Sequence, residues 1–101
     1  MTADYSTLNV LVIDDQAVAR QWVRGVLGSL GIERVVEAKS SREALQAVTE
    51  RGARFDLILV DLRMPGKDGI ETIRMLASMG LQCAVAILSI EDERVIESAG
   101  L

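Results

Sequence analysis

The sequence predicts one α/β domain in which helices cover both faces of a parallel sheet. Short aliphatic runs recur along the 101 residues, and each is followed by a segment with helical periodicity. Continuous apolar runs are typical of strands buried on both faces, and their alternation with helices implies right-handed parallel crossovers. The expected order is βαβαβαβα within one domain, residues 1–101. A two-layer α+β arrangement is the weaker interpretation, because continuous apolar runs outnumber alternating ones.

The first predicted strand covers residues 8–13 and ends in the acidic pair Asp14-Asp15. A helical pattern follows, and Gly31 is the predicted left-handed cap that ends it. The apolar residues expected on the inward face of this helix are Val18, Trp22, Val23, Val26, Leu27 and Leu30. We interpret Trp22 as a partly buried core residue rather than as an anchor for a partner.

A second short strand is expected around Val35-Val36. Ser40 or Ser41 is predicted to cap the helix that follows, and Gly52 to end it. The residues of this helix expected to face the core are Ala44, Leu45 and Val48.

The rest of the chain is organised around residues 55–69, which read F-D-L-I-L-V-D-L-R-M-P-G-K-D-G. The apolar run at residues 57–60 predicts a third strand that is buried on both faces. Asp61 should emerge where this strand ends, at the edge where open α/β sheets place their ligand sites. Pro65 and Gly66 predict a tight turn directly after it.

A third helix is expected over residues 70–79, with its end at Gly80. The apolar run C-A-V-A-I-L at residues 83–88 predicts a fourth strand that ends in Ser89. The acids that begin at Glu91 favour the amino end of a fourth helix.

Composition excludes several classes of function. A net charge of −4 without any basic run argues against a nucleic-acid surface. The chain contains no histidine, which rules out phosphotransfer, general-base or metal-ligand chemistry by histidine within it. The single cysteine, Cys83, excludes an internal disulfide and fits the reducing cytoplasm. No signal peptide or membrane-spanning run is apparent, so a cytoplasmic location is expected.

Acidic side chains follow the first and third predicted strands. If these strands are neighbours, Asp14, Asp15 and Asp61 should converge, and such a cluster calls for a cation to offset its repulsion. Oxygen ligands in an incomplete shell suit Mg²⁺, and Asp61 beside the metal is placed to attack a phosphoryl group. Ser89 would offer its hydroxyl to the phosphoryl oxygens. Taken singly, the acidic pair is more typical of solvated turn residues or helix caps, and Ser89 can simply cap the following helix.

Three motifs together resemble the response-regulator receiver domain of two-component signalling. They are V-L-V-I-D-D from residue 10, L-I-L-V-D-L-R-M-P-G-K-D-G from residue 57 and A-I-L-S from residue 86. The resemblance covers essentially the whole chain. It implies a flavodoxin-like, or CheY-like, doubly wound parallel sheet of strand order 2-1-3-4, with the family's fifth strand and helix absent.

The resemblance also implies roles for individual residues. Asp61 would be the phosphoacceptor, and Asp14 and Asp15 the acidic pair that holds Mg²⁺. Asp15 would be the more direct ligand, joined by Asp61 and the backbone carbonyl of Arg63. Ser89 would be the hydroxyl that moves toward the phosphoryl group on activation. The implied partner is a sensor histidine kinase that supplies phosphate from its own histidine.

The chain departs from the family pattern in two respects: the lysine and the aromatic switch residue that the family carries on its fifth strand are both missing. The family carries a lysine on its fifth strand that pairs with the phosphoryl group, and the sequence stops at Leu101, before that strand. Neither Lys39 nor Lys67 follows an apolar strand, so neither is assigned that role. The strand at residues 83–88 would then be an exposed apolar edge, and we expect self-association through it, strand exchange or poor stability.

Other functions are compatible with parts of the pattern. One is a receiver fold that docks or dimerises without phosphorylation. Another is an aspartyl-phosphate phosphohydrolase of the haloacid-dehalogenase kind, although those enzymes place a D-x-D nucleophile motif after the first strand. A flavin-binding module of the same fold would require a glycine- and hydroxyl-rich phosphate loop, which the first loop lacks.

Overall fold

The structure, a computed structural model, describes residues 5–50, 55–61, 69–80 and 83–88. The predicted fourth helix, Ser89 and Arg63 lie outside these ranges. The described elements, in chain order, are β1 (Asn9–Ile13), α1 (Ala17–Ser29), β2 (Arg34–Ala38), α2 (Ser41–Glu50), β3 (Leu57–Asp61), α3 (Gly69–Ser78) and β4 (Ala84–Leu88).

The strands form one parallel sheet in the order β2-β1-β3-β4. This order confirms the predicted α/β fold with a doubly wound, flavodoxin-like sheet. The register pairs Ile13 of β1 with Val60 of β3. Asp14 and Asp61 are the next residues on the two strands, so the sheet itself brings these acids to one edge.

The core has a layer on each face of the sheet. Val23 and Leu27 of α1 pack with Val10, Val12 and Leu59 on one face. On the opposite face, α2 and α3 cover a second layer, whose buried residues are Leu11, Ile13, Ala38, Ala44, Val48, Phe55, Ile58, Val60 and Leu76. Aliphatic side chains that alternate along β1 and β3 thus supply both layers, as expected of strands buried on both faces.

The ends of the helices show which residues stop and start them. Gly31 and Gly80 have φ angles of 85° and 75°, which confirms Gly31 as the left-handed cap after α1. Ser40, not Ser41, caps α2, because its Oγ accepts a hydrogen bond from the backbone N–H of Glu43 at 3.1 Å. Ser41 instead lies buried against Thr72 of α3, with 2.5 Å between their hydroxyl oxygens.

The predicted inward face of α1 is mostly wrong. Val23 and Leu27 are buried, but the other apolar residues are exposed: Val18 by 78%, Trp22 by 62%, Val26 by 41% and Leu30 by 55%. Trp22 and Val26 each precede a buried residue by one position, which rotates them by about 100° around the helix axis. Val23 and Leu27 are the buried residues of α1, so Trp22 is a surface residue and not part of the core.

The described residues include no helix long and apolar enough to cross a membrane.

Candidate functional site

Three carboxylates meet where β1 and β3 end. Asp14 and Asp15 follow the last residue of β1, and Asp61 is the last residue of β3. One carboxylate oxygen from each of the three lies within 4.8 Å of the others. Parallel neighbouring strands in register account for this convergence, because their carboxyl ends lie at the same edge of the sheet.

Asp14 is held in a fixed orientation inside the protein, with only 2% of its surface exposed. Its backbone N–H donates to the carbonyl of Ala38 at 3.0 Å. Its Oδ1 accepts a hydrogen bond from the backbone N–H of Gln16 at 2.9 Å, just before α1 begins. Asp14 therefore fixes the turn that leads into α1, and because it is buried it is not a solvated turn residue.

The pKa of Asp14 is raised above its ordinary value. Burial is the main cause, and the negative charges of Asp61 and Asp15 act in the same direction. The hydrogen bond from Gln16 opposes them without cancelling them. An ionised Asp14 is thus under electrostatic strain that a nearby cation would relieve.

Asp15 supplies the clearest sign that the cluster fits a cation. Its Oδ1 is buried and has no hydrogen-bond partner among the described residues. A buried carboxylate oxygen without a partner is costly, because it has lost its hydration and gained nothing in return. The carboxylates of Asp14, Asp15 and Asp61 together form a hard donor set of the kind that binds Mg²⁺. The residues present therefore fit the metal that the sequence predicted.

Asp61 is half-buried, unlike Asp14. Part of the Asp61 residue is exposed to solvent, whereas Asp14 is buried. Of the three acids, Asp14 is fixed by hydrogen bonds to the backbone, and Asp15 carries an unpaired oxygen. Asp61 comes from the neighbouring strand, β3. This arrangement is suited to an accessible carboxylate beside a bound cation.

Several predicted site residues lie outside the described residues, so their roles remain predictions. They are the carbonyl of Arg63, the hydroxyl of Ser89 and the turn at Pro65 and Gly66. Lys39 is described and directly follows β2. Its Nζ lies 3.9 Å from Oε2 of Glu43, on an exposed side chain.

Sequence reasoning missed one residue that touches the site. Nη1 of Arg20, on α1, donates to the backbone carbonyl of Asp14 at 2.7 Å. Nε of Arg20 also pairs with Oε1 of Glu37 on β2 at 2.9 Å. An available signal was Glu37 itself, a charge within a short strand of an otherwise aliphatic sheet, which calls for a cationic partner.

A family model described as "Response regulator receiver domain" matches residues 10–100. The chain is 40% identical over 89 residues to protein-glutamate methylesterase/protein-glutamine glutaminase 5 of Myxococcus xanthus, covering 87% of this chain and 25% of that protein. It is 34% identical over 83 residues to the two-component response regulator ORR41 of Oryza sativa subsp. japonica, covering 81% of this chain and 65% of that protein. The chain therefore spans only part of these relatives.

Solved structures are similar over most of the chain. A response regulator receiver domain protein from Clostridium thermocellum is 31% identical with a TM-score of 0.74, covering 92% of this chain and 74% of that one. The receiver domain of the histidine kinase CKI1 from Arabidopsis thaliana, solved as a complex with Mg²⁺, is 30% identical with a TM-score of 0.72. That similarity covers 97% of this chain and 80% of the other.

Proposed function

The chain belongs to the response regulator receiver family of two-component systems, and on that premise we propose that Asp61 accepts a phosphoryl group from a sensor histidine kinase in the presence of Mg²⁺. Phosphorylation and Mg²⁺ binding are typical of this family. The observation that carries the proposal is the convergence of the Asp14, Asp15 and Asp61 carboxylates, and the buried, unpaired Oδ1 of Asp15 supports it.

In the proposed reaction, a carboxylate oxygen of Asp61 forms a bond to phosphorus as the phosphorus–nitrogen bond of the kinase's phosphohistidine breaks. When bound, Mg²⁺ neutralises negative charge on the transferring oxygens. Asp15 would ligate the metal through its unpaired oxygen, and Asp14 and Asp61 would complete the acidic set. We assign Asp61 as the acceptor because it occupies the position of the family's phosphoacceptor after the third strand, and it is more exposed than Asp14.

The remaining roles in the proposal are supported by the family resemblance. The backbone carbonyl of Arg63 would be a further metal ligand, and the Ser89 hydroxyl would contact the new phosphoryl oxygens. Phosphorylation adds roughly two negative charges with strong acceptor oxygens. The segment that includes Ser89 and Glu91 would then reposition and report the phosphorylated state to a partner.

We infer that the chain is a phosphoacceptor that assists its own phosphorylation and dephosphorylation, and not an enzyme acting on other molecules. The methylesterase relative is matched over only 25% of its length, so its printed activity is not transferred to this chain. Membership of the receiver family also favours this function over a haloacid-dehalogenase-type phosphohydrolase. A cytoplasmic location is part of the proposal, since the single cysteine agrees with a reducing compartment.

Incubation with acetyl phosphate and Mg²⁺, followed by intact mass measurement, tests the proposal. We expect the wild-type protein to gain one phosphoryl group and Asp61→Asn to gain none. Asp56→Asn is the matched control, because Asp56 precedes β3 at its opposite end and is not part of the cluster. Phosphorylation at Asp61 would be excluded if Asp61→Asn were modified to the wild-type level, or if the wild-type protein were not modified at all.

One observation favours a second candidate function, a docking or dimerisation module that acts without phosphorylation. Within the described ranges, β4 is bonded to β3 alone, and its side chains Val85 and Ile87 are 46% and 56% exposed. Apolar edge strands pair readily with other chains. Sedimentation of the wild type and of Ile87→Lys tests this function: we expect a concentration-dependent mass above the monomer that the lysine lowers. A monomer at all concentrations would exclude self-association.

A further inference from the structure

We propose that Arg20 is a positioning residue for the metal cluster: by holding the backbone carbonyl of Asp14, it sets the direction in which the chain presents Asp15 to Mg²⁺. This inference rests on the proposed function, because it concerns the same acidic cluster. Arg20 would thus have a role in the site although its hydrogen bond to the cluster goes to the backbone carbonyl of Asp14.

Asp14 is anchored at three points, and Arg20 supplies one of them. The backbone N–H of Asp14 bonds to Ala38, and its side chain bonds to the N–H of Gln16. Its carbonyl accepts from Nη1 of Arg20 at 2.7 Å, the shortest of these three hydrogen bonds. Because this carbonyl belongs to the peptide bond leading into Asp15, its orientation fixes where the backbone of Asp15 begins.

Glu37 in turn fixes Arg20. Oε1 of Glu37 lies 2.9 Å from Nε of Arg20, and Oε2 lies 2.8 Å from Nε of Arg24. Only 16% of the Arg20 side chain is exposed. A guanidinium that bonds to a carboxylate and to a carbonyl at the same time has little rotational freedom. The Arg20–Glu37 pair therefore connects α1 to β2, and Arg20 also connects α1 to the end of β1.

The contact is geometric rather than a neutralisation of the cluster. The positive charge of Arg20 is paired with Glu37, and Arg20 reaches Asp14 through a backbone oxygen. A lysine would keep the charge at position 20 but lacks the planar fork needed to bond both groups. Residues that orient metal ligands from outside the coordination shell commonly change metal affinity by 10–100-fold when mutated.

Arg24 provides a matched control within the same helix. It pairs with the same Glu37, and its Nη2 also donates to a backbone carbonyl, that of Val35 at 3.1 Å. That carbonyl belongs to β2 and not to the acidic cluster. Arg20 and Arg24 thus share the same kinds of contact, and among the described residues of the site Asp14 is bonded to Arg20 and not to Arg24.

Titration calorimetry with Mg²⁺ alone, on wild type, Arg20→Gln, Arg20→Lys and Arg24→Gln, tests the inference. We expect both Arg20 variants to bind Mg²⁺ about tenfold more weakly or worse, and Arg24→Gln to stay within about twofold of wild type. Thermal unfolding in EDTA should show similar losses for Arg20→Gln and Arg24→Gln, so that stability does not explain the difference. Arg20→Lys should fail to restore affinity.

Three results would overturn the inference: wild-type affinity in Arg20→Gln, an equal loss in Arg24→Gln, or Arg20 variants that both fail to fold while Arg24→Gln folds. Asp15→Asn separates this failure from that of the proposed function. Wild-type binding that depends on Asp15 but not on Arg20 would overturn only the positioning role. A wild-type protein that binds no Mg²⁺, or an Asp15→Asn variant that binds it normally, would overturn both.

Discussion

Asp14 shows at the level of one residue how a buried carboxylate of the candidate site costs stability. It is buried, and its pKa is raised chiefly by that burial, with the neighbouring acids adding to the effect. A carboxyl whose pKa is higher in the folded state stabilises the fold when protonated. That contribution is complete at a pH below the ordinary value of 3.8 and is lost as the pH rises through the folded-state pKa.

We predict that Asp14→Asn stabilises the protein in metal-free buffer at neutral pH and weakens Mg²⁺ binding. The amide keeps the oxygen that accepts from Gln16 but removes the buried charge. The expected result is a higher free energy of unfolding, measured by urea unfolding in EDTA, because burial and the neighbouring acids penalise a charge that the amide lacks.

The gain from Asp14→Asn should vanish near pH 3, where the wild-type carboxyl is also neutral. Asp56→Asn is the control, since Asp56 likewise accepts one backbone N–H, from Asn9 at 2.8 Å, but lies outside the cluster. An Asp14→Asn variant less stable than wild type at neutral pH would show that the charge is not penalised.

Among the elements, α1 is joined to β2 by Glu37 and its two arginines. Burial alone would raise the pKa of Glu37, but the hydrogen bonds and charges of Arg24 and Arg20 outweigh it, and the pKa is lowered. A carboxylate with a lowered pKa contributes stability above its ordinary value of 4.5 and loses it as the pH falls through the folded-state pKa.

Glu37→Gln should therefore reduce the free energy of unfolding at neutral pH. The loss should be only about 1 kcal/mol, because the ion pairs of Glu37 with Arg20 and Arg24 are partly exposed and screened by solvent. The difference from wild type should shrink as the pH falls below 4.5. Denaturant unfolding in EDTA across this range checks the prediction. A difference that is independent of pH would mean that the ion pairs do not stabilise the contact between α1 and β2.

The contact between α2 and α3 contains a buried polar pair, Ser41 and Thr72. Thr72→Val leaves the Ser41 hydroxyl buried without this partner, and we predict a loss of about 1–3 kcal/mol in the free energy of unfolding. Thr49→Val is the control, because Thr49 is an exposed helical threonine whose hydroxyl donates to the carbonyl of Leu45 in its own helix. Equal effects of the two substitutions would contradict the prediction.

At the scale of the whole molecule, the parallel sheet was predictable because apolar runs and their terminal acids mark strand ends. The position of Asp14 and Asp61 followed from the neighbouring order of β1 and β3. The outward face of α1 was not predictable in the same way. Periodicity places Trp22 and Val23 only about 100° apart, and the contact with the sheet decides which of them is buried.

The support from Arg20 was also not predictable, since it depends on the distance between a helix and a neighbouring strand. Nothing in the local sequence shows that Arg20 and Glu37, 17 positions apart, bond to each other. The tertiary structure alone brings the guanidinium to the carbonyl of Asp14.

The central claim is that acids from β1 and β3 together bind a divalent cation and prepare Asp61 for phosphorylation. The most direct test is the intact mass of the wild-type protein after acetyl phosphate treatment, with Mg²⁺ or with EDTA, and peptide mapping of the product. We predict one added phosphoryl group, located on Asp61, with Mg²⁺ and none with EDTA. Equal phosphorylation in EDTA, or a modified residue other than Asp61, would contradict the claim.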